Sequence, residues 1–105
     1  MPDPTRPANE QSAEDPIDAF GSRLKAGVVG YLRAHPDVGA GEVAAALGTS
    51  RMTAYRAIDE LLDAGLLIAD PPRDKAARGQ WIQYRVDDAA VTEMYLRLGL
   101  AIGEI

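Results

Sequence analysis

The run LGTSRMTAYRAIDELLDAGLL, from Leu47 to Leu67, decides how this chain folds. Gly48 breaks the preceding apolar pattern, and the Ser50 hydroxyl can accept hydrogen bonds from the free amides at the start of a following helix. Apolar residues then recur at helical intervals, which predicts a helix over residues 51–64 that Gly65 ends. The predicted buried stripe is Ala54, Ala57, Ile58, Leu61 and Leu62, and the predicted outward face is Met52, Tyr55, Arg56 and Asp59.

A shorter helix is predicted immediately before this one, over residues 40–47. Its inward residues are expected to be Val43, Ala44 and Leu47. The small side chain of Ala44 allows two helices to cross closely, and Gly48 can adopt the left-handed backbone of a tight turn. The central segment therefore predicts two helices joined by a three-residue turn at residues 48–50.

The N-terminal part divides into two regions of different composition. Residues 1–16, MPDPTRPANEQSAEDP, contain four prolines and no aromatic residue, which predicts a disordered tail. A helical apolar pattern is then expected from Ile17 to Ala34. Its apolar members are Ile17, Phe20, Leu24, Val28, Tyr31 and Leu32. His35 precedes Pro36, which disfavours helical backbone at His35, so residues 36–39 are predicted to form a turn.

The segment after Gly65 has the pattern of a β-hairpin. Residues 66–70 form an apolar run of strand length, and residues 81–86 alternate, with Ile82, Tyr84 and Val86 expected to face inward. The connection between them, residues 71–80, is polar and is expected to be a solvated tip. Its basic residues are Arg73, Lys75 and Arg78. Trp81, at the foot of the hairpin, is expected to pack against the domain rather than to stack on a base.

The last predicted helix is apolar on more than one side. Asp87 or Asp88 can cap it, and it is expected to run to about Gly103. One apolar stripe comprises Val91, Met94, Tyr95, Leu98 and Ile102, while Leu96 and Leu100 lie well off that stripe. A lone domain of this size cannot cover both sets, and an exposed apolar patch marks an interface. The sequence therefore predicts a homodimer formed mainly through this helix, with interface residues Val91, Met94, Tyr95, Leu96, Leu98, Leu100 and Ile102.

Length and composition exclude several classes of function. A chain of 105 residues is enough for one domain, here residues 17–105. The absence of cysteine excludes disulfides, thiolate metal sites and a cysteine nucleophile. The sequence contains no long apolar span and no signal sequence, so a cytoplasmic protein is expected. It also contains no glycine-rich phosphate loop and no H-E-x-x-H motif, so we expect no enzyme, no cofactor and no metal.

The distribution of charge matters more than its total. The net charge is −5, which by itself disfavours a polyanionic partner. Residues 1–20 contain five acidic residues and one basic residue, so only −1 remains for residues 21–105. Residues 50–58 contain two arginines and no acidic residue. Positive charge is thus concentrated at the start of the helix at 51–64 and in the hairpin loop.

The order of helix, turn, helix, hairpin and helix resembles that of bacterial winged helix-turn-helix regulators. Residues 47–67 closely resemble the recognition segment of those regulators, T-x-x-R-x-I/L-x-x-L-x-x-x-G-L-I, which is matched by Thr53, Arg56, Ile58, Leu61, Gly65, Leu66 and Leu67. Among these families the chain is most similar to the ArsR-type repressors, through residues 22–32 and the segment GQWIQYRVDD at 79–88. Unlike many ArsR-type sensors it has no cysteine, and its Pro-rich tail stands where they usually have another helix.

The resemblance implies a mainly α fold with a small hairpin, the wing. It also implies a sequence-specific, double-stranded DNA-binding transcriptional regulator that acts as a repressor, with the helix at 51–64 in the major groove. The wing, residues 71–80, is expected to contact the backbone or the minor groove. The candidate DNA-binding residues are Ser50, Arg51, Met52, Thr53, Tyr55, Arg56, Arg73, Lys75 and Arg78. The alternative is a winged-helix protein-interaction module that does not bind DNA.

Overall fold

The computed structural model describes residues 16, 18, 21–77 and 79–105 of the chain. Residues 1–15 of the predicted tail at 1–16, together with Ile17, Ala19, Phe20 and Arg78, lie outside the described residues. The elements in chain order are α1 (Arg23–Ala34), α2 (Ala40–Leu47), α3 (Arg51–Asp63), β1 (Leu67–Asp70), a 3-10 turn (Arg73–Lys75), β2 (Gln83–Val86) and α4 (Asp88–Ala101). This is the order that the sequence predicts.

Helix α1 begins later than the apolar pattern predicts. Ser22 has extended backbone, with φ −93° and ψ 129°, and its hydroxyl oxygen accepts a hydrogen bond from the Lys25 amide at 3.2 Å. This N-cap starts the helix at Arg23, so the expected start at Ile17 is wrong, whereas the expected end at Ala34 is confirmed. Upstream of the cap, Pro16 and Asp18 are also helical, and Pro16 is buried.

The connection between α2 and α3 is fixed by local hydrogen bonds. Gly48 adopts the left-handed conformation, with φ 67° and ψ 34°, and the Thr49 amide donates to the Ala44 carbonyl at 3.0 Å. Ser50 then caps α3, and its hydroxyl oxygen accepts from the Thr53 amide at 3.0 Å. The predicted bounds of α2 are confirmed, and those of α3 are confirmed to within one residue, because Ala64 caps the helix.

One hydrophobic core lies between α1, α2, α3 and the hairpin. The buried residues of α3 are Ala54, Ala57, Ile58 and Leu61, as the helical spacing predicts, whereas Leu62 of the predicted stripe is only half-buried against the core. They pack in one cluster with residues of the other elements, among them Val28, Leu32, Val43, Ala44, Leu66, Tyr84 and Val86. The Tyr31 hydroxyl donates to Glu42 at 2.8 Å, which ties α1 to α2 and raises the pKa of Tyr31 above its ordinary value of 10.0.

The hairpin strands are shorter than the sequence predicts. Strand β1 pairs antiparallel with β2 in the register Leu67 to Val86 through Asp70 to Gln83. The next residue after Asp70 is Pro71, which has no amide hydrogen to donate to the ladder, so pairing stops before Trp81 and Ile82. On its other side Tyr84 forms a bridge with Val38, with a hydrogen bond of 2.8 Å from the Tyr84 amide.

Helix α4 contributes one face to the core. The Asp87 carboxylate caps it by accepting from the Ala90 amide at 3.1 Å, and the helix ends at Ala101. Val91 is only 7% exposed and Met94 is half-buried against the core, so neither belongs to the exposed apolar surface on which the predicted dimer interface depends. The exposed apolar residues of this region are Tyr95, Leu96, Leu100, Ile102 and Ile105. No described helix is long and apolar enough to cross a membrane.

Candidate nucleic-acid interface

The outward face of α3 combines cations and apolar side chains. Arg51 and Arg56 are exposed, and neither forms an ion pair within the part of the chain that the structure describes. Met52 is 60% exposed and Tyr55 is 42% exposed on the same face. Because the buried stripe of α3 fixes the helix on the core, these four side chains all lie on the side away from the domain.

The N-terminus of α3 offers further hydrogen-bond donors. The Ser50 hydroxyl donates to the Thr53 Oγ1 at 2.8 Å while its oxygen accepts from the Thr53 amide. The Thr53 hydroxyl therefore keeps its own hydrogen for an external acceptor. The amides of the first helical turn have no intrahelical acceptor, and this end of the helix is partly positive. An anionic group such as a phosphate fits this position.

The guanidinium of Arg51 lies against the first turn of α2. A Cβ built on Gly41 would lie 2.7 Å from the Arg51 Nη2, which is closer than nonbonded atoms approach, and 3.4 Å from its Cζ. Gly41 therefore leaves the space that this guanidinium occupies. The neighbouring Gly39 lies beside Trp81, whose Cε3 would be in ordinary contact, at 3.8 Å, with a Cβ at position 39.

A shallow groove runs between the start of α2, the outward face of α3 and the base of the wing. We call it the wing-base groove, with Gly41, Arg51, Tyr55, Trp81, Ile82 and Tyr84 among its lining residues. Among the described residues that line it, Arg51 is the only charged one. Trp81 is 77% exposed, so the expectation that it packs against the domain is wrong. Its position beyond the end of the paired strand leaves nothing to bury the indole.

Arg73 does not project freely from the wing, contrary to the prediction from the sequence. Its guanidinium pairs with Asp59 of α3 and donates from Nε and Nη2 to the Tyr84 hydroxyl at 3.3 and 3.2 Å. It also lies 3.9 Å from the centroid of the Tyr55 ring. We call this set of contacts the wing clamp. Arg73 thus links the wing to α3. The prediction that its guanidinium is free to contact DNA phosphates is corrected accordingly.

The remaining candidates are placed as follows. Lys75 is exposed and forms no ion pair with any described residue, whereas Arg78 lies outside the described residues. Ser50, Arg51, Met52, Thr53, Tyr55 and Arg56 all lie on one exposed surface beside the wing. Within the described residues, no three metal-ligating side chains converge. Sequence reasoning missed Gly41 and the exposure of Trp81; the only sequence signal for the latter was its place on the outer side of the alternating pattern.

Comparison with known proteins supports the fold by structure rather than by sequence. No family model matches the chain, and no curated protein matches it. Among solved structures it is similar to a predicted DNA-binding transcriptional regulator from E. coli, with a TM-score of 0.62 and 19% identity over 85% of this chain and 88% of that one.

Two further similar structures were solved as DNA complexes. S. aureus MepR has a TM-score of 0.59 and 15% identity, over 90% of this chain and 76% of that one. Streptococcus pneumoniae FabT has a TM-score of 0.54 and 17% identity, over 91% of this chain and 71% of that one. The chain therefore has a winged helix-turn-helix fold, in which α3 occupies the position of the recognition helix and the hairpin is the wing.

Proposed function

We propose that this protein is a sequence-specific, double-stranded DNA-binding transcriptional regulator. The observation that carries the proposal is the exposed face of α3, where Arg51 and Arg56 stand without ion-pair partners among the described residues. A helix fixed in this way, with its outward face free, can enter a major groove. The likeness to MepR and FabT, both solved with DNA, supports the same use of the fold.

Different side chains of α3 are suited to contact different parts of the duplex. Arg51 and Arg56 can each form a bidentate pair with the O6 and N7 atoms of guanine. Met52 and Tyr55 present apolar surface that suits a thymine methyl group. Ser50 shapes the helix N-terminus, where Thr53 and the free amides suit a phosphate. The helix thus combines readout of the bases with a backbone contact that sets its register.

The wing supplies affinity rather than base choice in this proposal. Lys75, and Arg78 three residues further along the chain, are assigned to phosphates or the minor groove. Arg73 is assigned to holding the wing on α3, because its guanidinium is already engaged with Asp59 and Tyr84. Within the winged-helix regulators we place the chain with the ArsR-type repressors, on the resemblance of residues 22–32 and 79–88, and expect it to act in the cytoplasm.

A homodimer completes the proposal. The exposed apolar residues Tyr95, Leu96, Leu100 and Ile102 of the α4 region suit a two-fold interface, and the half-buried Leu98 borders it. A two-fold dimer places two recognition helices about 34 Å apart, one turn of DNA. The operator is then an inverted repeat, with one half-site for each α3.

Selection of binding sites from random duplexes with the full chain tests the proposal. We expect enrichment of one sequence, followed by saturable binding of a labelled copy of it that weakens as salt is raised. A scrambled duplex of the same composition is the control and should bind more weakly. Absence of enrichment together with absence of binding at low salt would contradict the proposal and favour the protein-interaction module.

A further inference from the structure

The side chain of Trp81 is exposed to solvent and does not belong to the hydrophobic core. Its side chain is 77% exposed, the largest exposed fraction among the large apolar side chains described. Its indole N–H has no acceptor among the described residues. Tryptophan usually buries its ring and pairs its N–H, so this position leaves both an apolar surface and a donor unused.

The surroundings of Trp81 favour an anionic partner. Trp81 borders the wing-base groove, which also contains the Arg51 guanidinium and, among the described lining residues, no acidic side chain. Asp59, an acidic residue on the outward face of α3, is paired with Arg73. An apolar ligand or a protein helix bound here would leave the Arg51 guanidinium without a counter-charge. A nucleic-acid strand brings phosphates that can pair with Arg51, and sugar or base surface that can pack against the Trp81 ring.

We propose that Trp81 is a DNA-contacting residue, packed on a sugar or base of the strand that borders the bases read by α3. Its indole N–H is then available to a phosphate oxygen of the same strand. This inference rests on the proposed function and extends it, because it adds a contact at the base of the wing to those of α3 and the wing tip. Gly39 lies beside the ring and adds no side chain that would cover it.

The chain contains one tryptophan, so its fluorescence reports this site alone. The full chain is titrated with the selected duplex, and acrylamide quenching of the tryptophan emission is measured with and without duplex. We expect the duplex to change the emission intensity and to reduce the quenching constant severalfold, because the DNA covers the indole. Binding itself is measured separately from the anisotropy of labelled duplex, which does not depend on the tryptophan.

Variants test whether the contact contributes affinity. Trp81→Ala should weaken duplex binding about tenfold, the scale of one aromatic side chain buried in an interface. Trp81→Phe keeps a ring and should recover part of that affinity. Gln83→Ala, an exposed substitution in the adjoining strand, is the matched control and should bind as the parent does. Circular dichroism checks that each variant is folded.

The outcomes separate this inference from the proposed function. If the parent binds the duplex while the acrylamide quenching is unchanged and Trp81→Ala keeps the parent's affinity, the inference is wrong and the proposed function stands. If the labelled duplex does not bind the parent at all, the proposed function fails and the inference fails with it. The fluorescence result comes from the parent protein, so it decides the question even if Trp81→Ala does not fold.

Discussion

Arg51 and Arg56 are exposed cations on the outward face of α3, and this makes them informative residues. Both are exposed, and neither forms an ion pair among the described residues. We expect Arg51→Ala and Arg56→Ala each to weaken binding to the selected duplex by about 1–3 kcal/mol, because alanine cannot form the bidentate pair with guanine. The melting temperature should stay at the parent value. Titrations of parent and variants with selected and scrambled duplex check this, and unchanged affinity in both variants would contradict it.

Gly41 sets where the Arg51 guanidinium lies. Gly41→Ala would place a Cβ 2.7 Å from the Arg51 Nη2, so this flexible group must move. Because Ala favours a helix over Gly by about 0.5–1 kcal/mol, stability should rise or stay constant while the base preference of Arg51 changes. Repeating the site selection with the variant checks the preference. Gly30→Ala, which meets nothing within 4 Å, is the control and should select the parent sequence; the same sequence from Gly41→Ala would contradict the prediction.

Among the elements, the wing and α3 are joined by the wing clamp rather than by the chain alone. Arg73 bridges Asp59 and the Tyr84 hydroxyl and lies over the Tyr55 ring. The clamp therefore relates the angle of the wing to the face of α3 that meets the duplex. A wing released from α3 loses more conformational freedom on binding, which lowers affinity.

Asp59→Ala tests whether the wing clamp positions the wing, because the two possible answers change the affinity for the duplex in opposite directions. Removing an acidic residue near a polyanion ordinarily strengthens binding. We expect weaker duplex binding instead, with faster amide hydrogen exchange in residues 73–77, because Arg73 loses its carboxylate partner. Asp74→Ala removes an exposed acid of the same loop and is the control, expected to bind as well as the parent or better. Stronger binding by Asp59→Ala with unchanged exchange would show that the clamp does not position the wing.

The wing tip should contribute affinity without sequence preference. The double variant Lys75→Ala and Arg78→Ala is expected to weaken binding to selected and scrambled duplexes alike. The slope of log affinity against log salt should become shallower by about one unit for each phosphate that the variant no longer neutralises. Titrations at several salt concentrations measure the slope. A slope equal to that of the parent would mean that neither side chain contacts a phosphate.

For the whole molecule, the distribution of charge and apolar surface determines how it can assemble. Of the net charge of −5, residues 1–20 account for −4, so residues 21–105 carry only −1 against a duplex. The apolar surface is separated from the recognition face, because Leu96 and Leu100 lie on α4 and Arg51 and Arg56 lie on α3. In the proposed assembly, the apolar surface of α4 pairs two chains while the outward face of α3 meets DNA.

The double variant Leu96→Glu and Leu100→Glu should produce a folded monomer. Both side chains are exposed in the protomer, so the charges disrupt an interface without entering the core. Binding to an inverted-repeat duplex should weaken strongly, whereas binding to a single half-site should change little. Sedimentation and titration measure the two effects, with Thr92→Ala, exposed on the same helix, as the control. A parent chain that is monomeric at tens of micromolar would contradict the dimer.

The sequence by itself determined the elements whose ends depend on near neighbours. The bounds of α2, the cap at Ser50, the left-handed Gly48 and the buried stripe of α3 were all predicted, because helical periodicity and capping act within a few residues. The exposed candidates on α3 followed directly from that stripe. The start of α1 was missed because its apolar spacing continues across the Ser22 cap.

The tertiary structure alone decided the features that depend on residues distant in the chain. Arg73 lies 14 positions from Asp59 and 11 from Tyr84, so nothing in its local sequence indicates the clamp. Val91 is buried because one face of α4 packs against the core. The sequence does not show which face that is, because apolar residues lie on more than one side of this helix. Trp81 is exposed because strand pairing ends at Pro71. In each case, the position of a side chain depends on packing between elements, which periodicity within one element does not specify.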